Sequence, residues 1–192
     1  MTGKPGRPRS DQAHQALLAA ARALVVRHGY DGVTVEMIAS AAGTGRQTIY
    51  RHWPGKAELV LDAFVGHARA EVDEPPAAGS REQAVAGFLE RTFLALGETG
   101  PALRSLMAHA QRDEGFRQLF RDRFIEVRRD SLRRLLRQQA GESAAPAETD
   151  VEAAVSALYG ALWYRLLLGE PLDRAYARQL AALVVHGRRP PG

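Results

Sequence analysis

Apolar residues recur at a helical spacing along most of the chain, and this pattern restricts its fold more than any other feature. In the stretch from about residue 10 to Gly29, for example, Leu17, Ala20 and Leu24 fall on one face of a 3.6-residue helix. Glycine and proline divide the rest of the chain into further segments with the same period. No run shows the strict alternation of a half-buried strand. The pattern predicts an all-α fold of about nine helices.

The predicted helices are separated by two segments rich in proline and alanine, residues 73–80 and 142–148. Ser80 with Gln83, and Thr149 with Glu152, have the spacing of capping boxes, and Pro101 suits the first position of a helix. After the first helix, the predicted helices cover residues 35–42, 46–52, 56–72, 80–96, 101–112, 116–140, 149–168 and 173–186. We expect a small head at 1–55 and a larger helical domain at 56–192.

The positive charge of the chain is concentrated in its first third. The formal net charge is +4, and residues 1–60 hold eight Lys or Arg against four acidic residues. The basic and acidic groups of the remaining residues balance. A local excess of this kind attracts polyanions such as DNA, although it also serves solubility.

Composition excludes several functional classes. The chain has no cysteine, which removes disulfides, thiolate nucleophiles and Cys-based metal sites. It has no stretch of about 18 consecutive apolar residues, and its first ten residues do not form a secretory signal. The six histidines lack metal-ligand spacing, and no serine sits in a nucleophile elbow. We therefore expect a cytoplasmic protein without a membrane span, metal, cofactor or catalytic residue.

Two short predicted helices, 35–42 and 46–52, are joined by Gly43-Thr44-Gly45, which matches the turn of a helix-turn-helix in length and composition. On a wheel of the second helix, Ile49 and Trp53 share the face that would be buried. The other faces carry groups that match base edges or lie beside them: Arg46, Gln47, Thr48, Tyr50 and Arg51. The alternative is an ordinary solvated face, but the spacing and the local charge favour DNA binding.

A longer motif surrounds this pair of helices. It consists of Thr34-Val35-Glu36-Met37-Ile38-Ala39, then Ala42-Gly43, then Thr48-Ile49-Tyr50-Arg51-His52-Trp53-Pro54-Gly55-Lys56, with Leu59. With these residues, the stretch 10–64 resembles the DNA-binding head of the tetracycline-repressor family of bacterial transcription regulators. The chain departs from the family pattern in the turn, where Thr44 and Gly45 replace Val and a capping side chain. Glycine is an adequate N-cap, so we expect the helix to form.

The resemblance implies two sets of DNA contacts. In that family the positions that match Arg46, Gln47, Thr48 and Arg51 read bases. The positions that match Thr34, Tyr50, His52 and Lys56 contact phosphates. Thr34 and Lys56 each stand at a predicted helix start, where backbone amides favour an anion.

The basic segment Gly6-Arg7-Pro8-Arg9 precedes the head. Arg7 and Arg9 could enter a minor groove as an N-terminal arm. The other interpretation is a disordered tail that DNA merely attracts. The arginines of the stretch 117–137 alternate with acids, which indicates a salt-bridged surface and not a second nucleic-acid site.

The larger predicted domain holds more apolar residues than the head requires, and the resemblance implies that it binds a small effector and dimerises. Candidate pocket residues are Phe88, Met107, His109, Phe116, Phe120, Tyr159 and Trp163. The alternative for each of them is an ordinary core position. The last two predicted helices are apolar on nearly all faces and need a cover, which a second subunit would supply. Candidate interface residues are Leu162, Leu166, Leu180, Leu183 and Val184.

The sequence therefore predicts a dimeric regulator that binds a pseudo-palindromic operator in double-stranded DNA and, in one version, is a repressor released by an apolar or amphipathic effector. A second version has no effector, and its larger domain only dimerises. A third is a small helical enzyme or carrier that retains a DNA-binding head. This third version would need paired carboxylates or a cofactor motif, and the sequence shows neither.

Overall fold

The computed structural model describes residues 7–72, 79–138 and 148–186. Side chains are described for 11–66, 79–137 and 150–186. The described residues form helices and short connections without a strand, which confirms the all-α prediction. The elements are α1 (Arg7–His28), α2 (Val35–Ala41), α3 (Arg46–His52), α4 (Lys56–Val72), α5 (Arg81–Ala110), α6 (Glu114–Phe120), a π-helical turn (Arg121–Ile125), α7 (Glu126–Gln138), α8 (Glu148–Leu168) and α9 (Arg174–His186).

The chain divides into two compact units. The first comprises residues 1–67 and 101–124, and the second comprises 68–100 and 125–192. The domain boundary that the sequence predicts between residues 55 and 56 remains a prediction. The predicted linkers at 73–80 and 142–148 fall largely outside the described residues.

In the first unit, α1 packs on α2, and α2 packs on α3. Their shared core contains Leu17, Ala21, Val25, Ile38 and Ile49, all at most 1% exposed. These positions follow the helical period of the sequence, so burial of one face of each helix holds this unit together.

In the second unit, α7 packs on α8, and α8 packs on α9. Leu132, Leu136, Val155 and Leu158 are fully buried or nearly so. At the edge of this core, Arg133 is 17% exposed and donates from Nε to Glu152 Oε1 at 2.5 Å. Arg129 Nη2 adds a 2.9 Å bond to the same carboxylate. These charge-assisted bonds join α7 to α8 and satisfy two arginines that are largely withdrawn from solvent.

Two predicted helices, 80–96 and 101–112, are in fact the single helix α5, with Pro101 in its interior. This prediction was wrong. A proline in this position removes one backbone hydrogen bond and crowds the carbonyl of residue 97, which is a glycine. Residues on both sides of it, including Phe93, Ala102 and Leu106, are buried. Their packing continues the helix through the proline.

The start of α5 agrees with its predicted cap. Ser80 N donates to Gln83 Oε1 at 2.9 Å, and Gln83 N donates to Ser80 Oγ at 3.2 Å, which completes the capping box. The second predicted box is wrong, because α8 begins at Glu148 and Thr149 lies inside it. Glu152 instead accepts hydrogen bonds from α7.

The predicted continuous helix over 116–140 is divided by the π-helical turn. Asp113 caps α6 by accepting from Phe116 N at 2.8 Å. Phe116, Phe120 and Phe124 then stack in sequence, with ring centroids 6.1 and 5.4 Å apart. The wider turn accompanies the closer of these two stacks.

Candidate DNA-binding surface

The turn between α2 and α3 is built by short-range hydrogen bonds. Thr34 caps α2 by accepting from Met37 N at 3.2 Å. At the other end of α2, Gly43 has a φ of 65°, Gly43 N donates to Ser40 O, and Thr44 N donates to Ala39 O. This is a Schellman motif, and the left-handed φ explains why glycine stands there. The turn thus ends α2 after seven residues and releases the chain into α3.

The N-cap of α3 is Gly45, which offers no side-chain hydrogen bond. Its carbonyl accepts from Thr48 N at 3.0 Å. Glycine is therefore an adequate cap, as the sequence predicts, and α3 forms over seven residues.

The faces of α3 are divided as the helical wheel predicts. Ile49 and Trp53, its C-cap, are 0% and 3% exposed. Thr48 is half-buried. The exposed side chains are Arg46, Gln47, Tyr50, Arg51 and His52. One short helix thus presents two guanidinium groups, an amide and a phenol to solvent, a set that can donate to base edges and phosphates.

The buried end of α3 is fixed by aromatic and polar contacts. The indole ring of Trp53 stacks on the imidazole of His14 in α1, with centroids 4.7 Å apart. The indole Nε1 donates to Asp62 Oδ2 in α4 at 2.8 Å. His52 lies edge-on to His14 at 5.5 Å. Elements before and after α3 thereby fix the direction of its exposed face.

Lys56, predicted to contact phosphate, has protein partners. Its Nζ donates to Tyr30 O at 3.0 Å and to Val33 O at 2.9 Å, and it lies 4.0 Å from the centroid of the Tyr30 ring. Burial lowers the pKa of Lys56 below its usual value and, with nearby carboxylates, raises the pKa of Tyr30 to about 12. Two of the three N–H groups are thus used to close the loop between α1 and α2. The predicted contact with phosphate remains a prediction, and it would use the third N–H group of Lys56.

Arg46, predicted to read a base, is paired with an acid. Its Nη1 lies 2.7 Å from Glu36 Oε1 in the first turn of α2. The sequence predicted no side-chain partner for Glu36 or Asp62. Glu36 precedes Arg46 by ten positions, and Asp62 follows Trp53 by nine, so no spacing within one helix could have revealed either contact.

Arg7 and Arg9 lie in the first turn of α1, which begins about three residues earlier than predicted. Their side chains fall outside the described ones. The minor-groove arm therefore remains a prediction.

The candidate pocket residues divide between the two units. Met107, His109, Phe116 and Phe120 belong to the first. His109 and Tyr30 both lie against Phe116, at 4.8 and 4.7 Å between centroids. Phe88, Tyr159 and Trp163 belong to the second unit, where Tyr159 Oη donates to Arg128 O at 2.9 Å. Phe88, Phe116, Phe120 and Tyr159 are buried. Their place in a ligand pocket remains a prediction.

The candidate interface residues also divide. Leu162, Leu166 and Leu180 are at most 7% exposed, so they belong to the core of the second unit and not to its surface. Leu183 is 68% exposed, and Val184 is half-buried. Three of the five candidates are thus covered by their own chain, and the place of all five in a dimer interface remains a prediction.

In the described part of the chain, no cluster of three or more His, Asp or Glu side chains is arranged to hold a metal ion. In the same part, residues 150–168 of α8 are long and apolar enough to cross a membrane, a property that core helices of soluble proteins share.

Two family models match the chain. Residues 17–63 match the model for bacterial regulatory proteins of the tetR family, and residues 75–184 match the model for the tetracyclin repressor-like C-terminal domain. The first match contains α2, α3 and the start of α4. The second contains most of the remaining helices.

Individual proteins agree with the family models. An HTH-type transcriptional regulator of Bacillus subtilis (strain 168), YdeS, is 31% identical over 94% of this chain and 91% of its own length. The DNA-binding transcriptional repressor TetR of Mycobacteroides abscessus is 31% identical over 90% of this chain and 91% of its own. The structure of FadR from Bacillus subtilis in complex with stearoyl-CoA has a TM-score of 0.69 at 17% identity, covering 92% of this chain and 100% of that one.

The matched models and relatives are those of transcriptional regulators, and the relative from Mycobacteroides abscessus is a DNA-binding repressor. The chain belongs to the tetracycline-repressor family of bacterial transcriptional regulators.

Proposed function

We propose that the protein is a homodimeric repressor that binds a pseudo-palindromic operator and leaves it when a small apolar or amphipathic effector binds. The observation that carries the proposal is the exposed face of α3, which is fixed from behind by Trp53. The relative from Mycobacteroides abscessus is a transcriptional repressor, which supports the direction of control. The protein would act in the cytoplasm, where its operator is.

In this proposal the predicted DNA-contact residues have two roles. Arg46, Gln47, Thr48 and Arg51 read bases in the major groove, because their side chains match the hydrogen-bonding and methyl groups of base edges. Thr34, Tyr50, His52 and Lys56 contact phosphates and set the register on the duplex. Arg7 and Arg9 supply the minor-groove contacts.

The homodimer is supported by an apolar surface on α8 and α9. Residues 150–168 are apolar overall, yet fewer than half of them are buried within the chain. Its exposed positions include Ala157, Gly160, Tyr164 and Leu167, and α9 adds Leu183. Small residues allow two helices to approach closely, and a two-fold contact would cover the same surface on both copies.

A two-fold axis has a consequence for the operator. Two recognition helices related by the axis must enter the major groove about 34 to 36 Å apart, or at a multiple of that distance. The proposal therefore requires an operator with two inverted half-sites.

Support for the effector comes from the aromatic content of residues 88–163 and from the FadR neighbour, whose structure contains stearoyl-CoA. Effector and operator would be linked, so each must weaken the binding of the other by the same factor, typically about 5- to 150-fold. Calorimetric titration with an acyl-CoA series, with and without operator, measures this factor. Binding unaffected by operator would remove the effector from the proposal.

A second candidate is a regulator without an effector. It is favoured by the mutual stacking of Phe116, Phe120 and Phe124, which would then be simply a core. If no acyl-CoA shifts the thermal unfolding of the protein, this second function is preferred.

Selection of binding sites from random duplex DNA tests the main proposal. We expect inverted half-sites for the wild type, lost preference at individual base pairs for Arg51→Ala, and unchanged preference for Arg134→Ala, the same exchange on α7. Sequence-independent binding, or the same loss in both variants, would contradict it.

A further inference from the structure

The ion pair between Glu36 and Arg46 joins the two helices of the helix-turn-helix. Glu36 lies in the first turn of α2, and Arg46 is the first residue of α3. The distance from Arg46 Nη1 to Glu36 Oε1 is 2.7 Å, and the two side chains are 63% and 59% exposed. An exposed pair of this kind adds little to the stability of a fold. The effect of the contact therefore lies in how it restrains the Arg46 guanidinium.

Arg46 is not the only group that bonds the carboxylate of Glu36. A hydrogen bond from its own backbone N–H, followed by bonds from Arg46 and Thr34, lowers the pKa of Glu36 below its usual value. The group thus stays ionised at neutral pH. Its charge lies in the first turn of α2 and faces the guanidinium of Arg46 at the start of α3.

Glu36 occupies only one corner of that guanidinium. Arginine carries five N–H donors in a rigid fork, and the bond to Glu36 uses Nη1. Nε and Nη2 keep the donors of another edge, and a bidentate contact to guanine requires two parallel donors of this kind. A carboxylate so placed restrains the long side chain and leaves an edge of the fork for a base.

The same carboxylate affects contacts with the DNA backbone. An unpaired arginine is attracted to any phosphate, which adds affinity without sequence information. A negative charge beside the guanidinium opposes that capture, because it repels the phosphate and balances the arginine.

We infer that Glu36 is a specificity-determining residue, which positions the Arg46 guanidinium for one base pair and keeps it from the phosphates. The inference rests on the proposed base-reading role of Arg46. It assigns to Glu36 a function exerted through Arg46, without its own contact to a base.

The expected size of the effect follows from the restraint that Glu36 places on the Arg46 side chain. Immobilising one long side chain changes affinity by about two- to twelvefold. In Glu36→Gln, which keeps the shape and removes the charge, discrimination at one base pair of the selected site should fall by about that factor. The released guanidinium should neutralise about one more phosphate, so the slope of log affinity against log salt should steepen by about 0.9.

The experiment compares four proteins with the wild type: Glu36→Gln, Arg46→Ala, the double variant and Asp11→Asn. Asp11→Asn removes one exposed negative charge from α1 and controls for net charge. Each protein is titrated with the selected duplex and all its single-base variants, at several salt concentrations. Thermal unfolding verifies that each variant is folded. We expect all of them to fold, because the side chains of Glu36 and Arg46 are exposed.

The inference expects Glu36→Gln to lose discrimination at the same base pair as Arg46→Ala, Asp11→Asn to keep it, and the double variant to behave as Arg46→Ala. If Arg46→Ala loses base preference while Glu36→Gln keeps it, the inference fails and the proposed role of Arg46 stands. An effect of Glu36→Gln that persists in the double variant overturns the inference as well. If Arg46→Ala itself keeps every base preference, both the role of Arg46 and the inference fail.

Discussion

The indole of Trp53 and the carboxylate of Asp62 form a 2.8 Å hydrogen bond that joins the end of α3 to α4. The other oxygen of the same carboxylate lies 3.1 Å from Arg123 Nη1. Trp53 is 3% exposed, so its N–H has little access to solvent. Asp62 therefore satisfies a buried donor directly behind the surface that we propose contacts DNA.

Replacing Asp62 by alanine should lower the free energy of unfolding by about 1–3 kcal/mol, because the buried indole N–H loses its acceptor. Urea unfolding, followed by the fluorescence of the tryptophans, measures this loss. Asp62→Asn is the matched control, since an amide oxygen still accepts from Trp53 and only the exposed pair with Arg123 is lost. Equal losses in the two variants would show that the indole bond is not the cause.

Gly43→Ala should destabilise the fold by about 1–2 kcal/mol. The residue has a φ of 65°, which costs an L-residue about that much, while an added Cβ would meet no heavy atom within 4 Å. Gly66→Ala is the control, because Gly66 lies within α4 without a positive φ and its Cβ also meets open space. There the same change should stabilise by up to about 1 kcal/mol. Chemical unfolding of both variants should give opposite signs.

Lys56→Met should affect both folding and DNA binding. Losing the bonds to Tyr30 O and Val33 O should cost about 1–3 kcal/mol of folding free energy. If Lys56 also contacts phosphate, all duplexes should bind more weakly, and the salt slope should flatten by about one. Lys56→Arg should keep the second property, because it keeps the charge. A slope unchanged in Lys56→Met would leave the residue with a structural role alone.

Acid should weaken the contact between α7 and α8. Hydrogen bonds from Arg133, with a contribution from Arg129, lower the pKa of Glu152 to about 2. A carboxyl group with a lowered pKa stabilises the fold above its unfolded value of about 4.5, and this contribution is lost as the pH falls towards 2. Glu152→Gln should therefore unfold more easily than the wild type at pH 7, and the difference should shrink between pH 5 and pH 3.

Urea titrations at these pH values measure the difference. Glu98→Gln, at an exposed position of α5, serves as the control. A Glu152→Gln effect that is the same at pH 7 and pH 3 would contradict the assigned ion pairs.

The sequence by itself determined the features that depend on neighbours a few residues apart. The inward and outward faces of α3, the Thr34 cap, the turn at Gly43 and the box formed by Ser80 and Gln83 all follow from hydrogen bonds and periodicity over one or two turns. Such interactions are encoded locally, so they can be predicted before the chain is folded.

Only the tertiary structure decided the features in which distant segments compete. Pro101 ends a helix by local rules, but buried residues on both sides continue α5 through it. The sequence offers no distinction between Leu183 and the leucines at 162, 166 and 180. Only packing determines that Leu183 is exposed and that the other three are buried. The pairing of Glu36 with Arg46, of Trp53 with Asp62, and of Lys56 with two carbonyls depends on where other helices place the partner atoms. The physical reason is that a polar group bonds to a partner that lies near it in space. The helical period of the sequence does not determine the distances between helices.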